Sequence, residues 1–110
     1  MKFKRLPRHA LEFLAARFRL LGDPSRLELL QVLAEGERAV QELCEVTGLG
    51  QANVSKHLSL MAEQGLVAKR REGSFVYYNL ADESVRQLCD LAYGALRKRY
   101  DRLVNELEKD

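Results

Sequence analysis

Residues 40–80 read VQELCEVTGLGQANVSKHLSLMAEQGLVAKRREGSFVYYNL, and the fold turns on them. Val40 to Thr47 has the spacing of a short helix, and Gly48-Leu49-Gly50 forms a tight turn. A second helix runs from Gln51 to Gln64, with Val54, Leu58 and Met61 on one face and Gly65 as its stop. The period then changes from helical to alternating. Leu66 to Arg71 reads as a strand, Glu72-Gly73 as a hairpin turn, and Ser74 to Leu80 as the return strand. In that strand Val76, Tyr78 and Leu80 share one face, and Phe75, Tyr77 and Asn79 the other. Two helices joined by a short turn make a helix-turn-helix, whose second helix enters a DNA major groove.

Upstream, Leu11, Leu14, Phe18 and Leu21 set a first helix over residues 8–21. Phe13 and Leu20 lie on its other side, so this helix has two apolar neighbours to satisfy. Gly22-Asp23-Pro24 ends it and begins the next, with Asp23 as N-cap and Pro24 at the first helical position. Leu27, Leu30, Val32 and Leu33 carry that second helix to Ala34. Downstream, Asp82 caps a last helix over 83–108, along which Val85, Leu88, Ala92, Leu96, Tyr100, Leu103 and Leu107 repeat every three or four residues. A helix of about 25 residues is roughly 37 Å long. A chain of 110 residues cannot cover the whole stripe of such a helix. The uncovered part, together with the first helix, predicts a homodimer interface, with Tyr93 and Tyr100 as its aromatics.

The chain is 46% hydrophobic and 31% charged, which excludes a disordered chain and fits one globular domain over residues 1–110. No apolar run is long enough to span a bilayer. The basic start, Met1 to Arg8, lacks a following signal-peptide core, so a cytoplasmic location without membrane partners is expected. The net charge of +2 decides little, but its distribution is uneven. Residues 1–19 carry six Lys/Arg against one Glu, residues 20–50 two Arg against six acids, and residues 51–80 four Lys/Arg against two Glu. One side of the molecule is therefore expected to seek anions. No Gly-rich phosphate loop, nucleophile elbow or paired His/Cys arrangement is present, so an enzyme is not expected.

The start of the helix over 51–64 exposes Gln51, Asn53, Ser55 and Lys56. Gln and Asn can bond adenine in a bidentate manner, and Lys can reach guanine or phosphate. Ser55 can serve a base edge or a phosphate, and Ala52 is small enough to touch a thymine methyl. His57 reads as a polar residue at the protein–DNA boundary. The hairpin adds Lys69, Arg70, Arg71 and Ser74, which suits a wing lying along a backbone or in a minor groove. The expected partner is double-stranded operator DNA. The alternative is a dimeric protein-interaction module of the same fold without DNA binding.

These residues carry a family resemblance. Leu21-Gly22-Asp23-Pro24-Ser25-Arg26-Leu27, Glu42-Leu43-Cys44, Leu49 through Leu58, and Gly65-Leu66-Val67 through Val76-Tyr77-Tyr78 resemble the ArsR/SmtB family of bacterial repressors, over about residues 11–90. The resemblance implies a winged helix-turn-helix of five helices and a small β-hairpin, mainly α, dimeric through its first and last helices. It implies 40–64 as the helix-turn-helix and 66–80 as the wing. It also implies an operator bound without effector and released by an inducer, with Gln51, Ser55 and Lys56 at base- and phosphate-contacting positions. Gly50 stands where a Ser is often found, which weakens that helix cap.

Both familiar metal sites of the family are broken. Glu42-Leu43-Cys44 is followed by Glu45 and Val46, so a second thiolate is missing, and the last helix holds no His; the two histidines are His9 and His57. Neither a metal nor another cofactor is expected. Cys44 and Cys89 read either as small packing residues or as sensing thiols, responding to thiol-reactive species or to a soft metal or metalloid.

Overall fold

The computed structural model describes residues 4–109; Met1 to Phe3, part of the basic start, lie outside them. The described chain has the order α1(Arg8–Leu21), α2(Pro24–Ala34), β1(Arg38–Ala39), α3(Val40–Thr47), α4(Gln51–Glu63), β2(Val67–Glu72), β3(Phe75–Leu80) and α5(Ser84–Leu107). Each predicted helix is present, within a residue at each end. Asp23 caps α2 by accepting from the backbone N–H of Arg26 at 3.1 Å, and Pro24 occupies its first turn.

Two expectations are corrected, and the expected hairpin gains a third strand. The β structure is a three-stranded antiparallel sheet in the order β1-β3-β2, not a hairpin alone. Arg38 pairs with Tyr78 and Ala39 with Tyr77, and a strand of two residues has no period to read. The hairpin turn is Gly73-Ser74, not Glu72-Gly73, because Glu72 pairs with Phe75. Gly73 has φ 61°, which suits the first central position of a two-residue loop, and Ser74 therefore sits in the turn and not on the strand. In α2, Leu30, Val32 and Leu33 are buried as expected and Leu29 joins them with no exposed surface, whereas Leu27 is exposed.

The core is made by Leu29, Leu43, Val54, Leu58, Met61 and Leu66, none of which retains exposed surface. They come from α2, α3, α4 and the start of the wing, so the helix-turn-helix and the sheet form one packed unit. The two outer helices contribute little. α1 buries Leu21 and α5 buries Val85, while Phe13 is 77% and Leu96 64% exposed. The radius of gyration is 17.2 Å, against about 13 Å for a compact chain of this length. Most residues of α1 and α5 lie exposed outside that core. Between α1, α2 and α5 runs an apolar groove of about 980 Å³, lined among others by Phe18, Leu27, Leu30, Leu88 and Leu96. No helix among the described residues is long and apolar enough to cross a membrane.

Candidate nucleic-acid interface

The turn between α3 and α4 is fixed locally. Gly48 ends α3 at φ 74°, a left-handed conformation that side-chain-bearing residues avoid, and its N–H donates to the Cys44 carbonyl at 2.8 Å. The Thr47 hydroxyl donates to the Leu43 carbonyl and accepts from the Leu49 N–H. At the start of α3, the Glu42 carboxylate reaches back to accept the Ala39 N–H at 3.0 Å, one half of a capping box. Helix α4 then begins from Gly50 with no side-chain cap, so the amide groups of its first turn are left to an external acceptor.

Two faces of α4 separate cleanly. Val54, Leu58 and Met61 have no exposed surface and seat the helix on the core. Gln51, Ala52, Asn53 and Lys56 are exposed, and Ser55 is half-buried. Gln51, Ser55 and Ser59 line a small polar groove whose other wall carries Lys69 and Ser74 from the wing. The strand pairing explains that wall. Lys69 lies opposite Tyr78 and Arg71 opposite Val76, so these two cations share the face that turns toward the helix. Arg70 lies opposite Tyr77, on the other face.

The structure thus brings Gln51, Ser55, Lys69 and Ser74 around one groove, with Ala52, Asn53 and Lys56 exposed beside it and Arg71 further along the wing. His57 and Arg70 are placed differently. His57 is half-buried against α2, its Nδ1 3.3 Å from the Arg26 guanidinium, which can only donate. Arg70 is held by two carboxylates, Glu37 and Glu72, and its guanidinium lies 4.6 Å over the Tyr77 ring. The same contacts, Arg70 first, hold the Glu37 carboxyl below the usual carboxylate range.

Sequence reading missed the arginines that brace this interface. Arg17 of α1 donates to Asp82 at 2.5 Å and to the Gln64 carbonyl at 2.8 Å, tying an outer helix to the end of α4 and the approach to α5. Asp82 also accepts from the N–H and hydroxyl of Ser84, and these bonds, with Arg17 next, keep its carboxyl deprotonated to lower pH than usual. Arg26 of α2 donates through Nε to the Leu20 carbonyl at the end of α1. Its place in the Gly22-Asp23-Pro24-Ser25-Arg26 stretch was visible, but partners 47 and 65 residues from Arg17 leave no local pattern.

The two thiols are separated by element. Both pack beside the core, Cys44 from α3 and Cys89 from α5, and Cys89 also lines the groove between α1, α2 and α5. Burial, then the neighbouring Asp90, pushes the Cys89 thiol up, which disfavours its thiolate at neutral pH. Among the described residues no three of His, Cys, Asp and Glu gather as metal ligands.

A helix-turn-helix packed on an antiparallel sheet whose hairpin flanks the second helix defines a winged helix-turn-helix domain. Comparison with known proteins narrows the class. Residues 23–69 match the model of the bacterial regulatory protein, arsR family. The chain is 30% identical over 96 residues to the arsenical resistance operon repressor of Escherichia coli, covering 84% of this chain and 82% of that one. It is 44% identical over 75 residues to a Streptomyces lividans protein named probable mercury resistance operon repressor, covering 68% of this chain and 60% of the relative. The chain thus spans about three fifths of the length of that relative. Among solved structures, the homodimeric winged helix-turn-helix DNA-binding domain of a possible ArsR-family regulator from Mycobacterium bovis superposes with a TM-score of 0.73 at 33% identity, covering 89% of this chain and 92% of that one. The chain belongs to the ArsR family of bacterial regulatory proteins.

Proposed function

We propose that this chain is a cytoplasmic, homodimeric, sequence-specific DNA-binding repressor that leaves its operator when an inducer binds. The observation that carries this reading is the division of α4, whose inner face is locked into the core while Gln51, Ala52, Asn53 and Lys56 stand outside beside a basic hairpin. Gln51, Asn53 and Ser55 read base edges, Ala52 lets the helix approach closely, and Lys56, Lys69, Arg71 and Ser74 hold phosphates. His57 supports the interface from the protein side by packing on Arg26.

Dimerisation supplies what one chain lacks. The apolar surface of α1 and α5, continuous with the groove between α1, α2 and α5, accepts the same helices of a second copy, and a two-fold pair presents two α4 helices to successive major grooves. The Mycobacterium bovis domain described as homodimeric supports the pairing of two copies. The inducer is a thiol-reactive species or a soft metal or metalloid acting at Cys44 or Cys89, in keeping with the names of the mercury and arsenical repressors.

The test separates phosphate-holding from base-reading side chains in a gel-shift assay. Lys56→Ala and Arg71→Ala should each weaken binding to all duplexes and lower the slope of log K against log salt by about 1 for each phosphate that the side chain neutralises. Gln51→Ala and Ser55→Ala should shift the preferred sequence, at about 1–3 kcal/mol for each base no longer read. Variants of both kinds with an unaltered operator profile would refute the assignment of α4 as the reading helix.

A further inference from the structure

Arg70 is the middle cation of the run Lys69-Arg70-Arg71, yet its surroundings differ from those of its neighbours. Its Nη2 donates to Glu37 Oε1 at 2.8 Å and its Nε to Glu37 Oε2 at 3.1 Å, a two-pronged pairing. Its Nη1 donates to Glu72 Oε2 at 2.7 Å. Two carboxylates against one guanidinium leave this cluster with a net negative charge, which repels a phosphate. Glu37 precedes β1, and β1 leads directly into α3. Because the strand order is β1-β3-β2, the pair reaches from the outer strand of the wing, past Tyr77 of β3, to the connection before the helix-turn-helix.

The wing needs such a tie. Of the six residues of β2 only Val67 is buried, so the core fixes the base of the hairpin and leaves its outer half to surface contacts. We propose that Glu37 and Arg70 form a clamp that sets the angle of the wing against α4, and that both are positioning residues for DNA affinity without touching DNA. The proposal rests on the reading of the chain as a DNA-binding protein.

Charge alone and the clamp make opposite forecasts for Glu37. Removing an acidic group near a polyanion should strengthen binding by relieving repulsion. Freeing the wing should weaken it, by about three- to fivefold for the removal of an exposed but two-pronged pair. The experiment measures anisotropy of a fluorescein-labelled duplex that the wild-type chain enriches from a random-sequence library. The same protein, free of DNA, is followed by amide hydrogen exchange.

Glu37→Gln and Arg70→Gln are each expected to bind about three- to fivefold more weakly, with the salt slope unchanged. The double variant should bind no worse than Arg70→Gln alone, because the two side chains act as one unit. Exchange at residues 69–76 should accelerate in both variants while α4 stays protected. Tighter binding by Glu37→Gln, or a lower salt slope in Arg70→Gln, would overturn the clamp and make Arg70 an ordinary phosphate-binding residue. Unchanged exchange in the wing would also overturn it. Accelerated exchange in a chain that enriches no duplex would support the clamp and refute the DNA-binding reading on which its role in affinity rests.

Discussion

Replacing Leu96 by Glu is expected to turn the proposed dimer into a monomer and to weaken operator binding by at least about 100-fold. Leu96 lies on α5 at 64% exposure in the single chain and lines the apolar groove with Phe18, Leu27 and Leu88. In a two-fold pair the substitution acts twice and places two unpaired carboxylates in the one interface. Burying such a group costs several kcal/mol unless it is neutralised. A monomer retains one reading helix and forgoes the effective concentration that brings in the second, which accounts for the size of the effect. The fold itself should survive, because Leu96 makes no part of the buried core. Sedimentation equilibrium and anisotropy read the two effects together. A Leu96→Glu protein that remains dimeric at micromolar concentration would place the interface elsewhere.

Leu58→Ala gives the second large effect, and it is on stability. Leu58 has no exposed surface and seats the middle of α4 on the core, so its truncation leaves a cavity. Such changes cost about 2–5 kcal/mol, which in a domain of this size lowers Tm by roughly 8–20 °C. Gln51→Ala and Lys56→Ala, on the opposite face of the same helix, should move Tm little, since surface substitutions stay within about 0.5 kcal/mol. Thermal unfolding followed by circular dichroism measures both. Equal Tm changes on the two faces would mean that α4 is not held as described.

The legible parts of the fold were those whose cause is local. Asp23-Pro24 marks the start of α2 through a cap and a fixed φ, and both features stand in the structure. Val54, Leu58 and Met61 face the core because a helix of period 3.6 puts them there. The parts that escaped depend on distant partners. β1 exists only because β3 offers it hydrogen bonds. The turn at Gly73-Ser74 follows from pairing register, which Glu72-Gly73 alone does not specify. In the candidate interface, residue type and helix position suggested the outward residues of α4. The same reasoning treated Lys69, Arg70 and Arg71 as equivalent. Strand alternation and the carboxylate of Glu37, 33 residues away, make them unlike.

The apolar faces of α1 and α5 show the same logic at the level of assembly. Periodicity showed that these helices carry more hydrophobic surface than a small domain can bury, and the structure leaves it open. Arg17 of α1 bonds the Gln64 carbonyl at the end of α4, and Arg26 of α2 bonds both the Leu20 carbonyl of α1 and His57 of α4, so in the proposed dimer the placement of α1 would bear on the spacing of the two α4 helices.

Selection of bound duplexes from a random-sequence library, by the wild-type chain and by a chain carrying Gln51→Ala, Ser55→Ala and Lys56→Ala together, tests the central claim most directly. The wild type is expected to enrich an inverted repeat whose half-sites lie about 10–10.5 base pairs apart or a multiple of that, and the triple variant to enrich none. Failure of the wild type to enrich any sequence, or recovery of the same repeat by the triple variant, would contradict it.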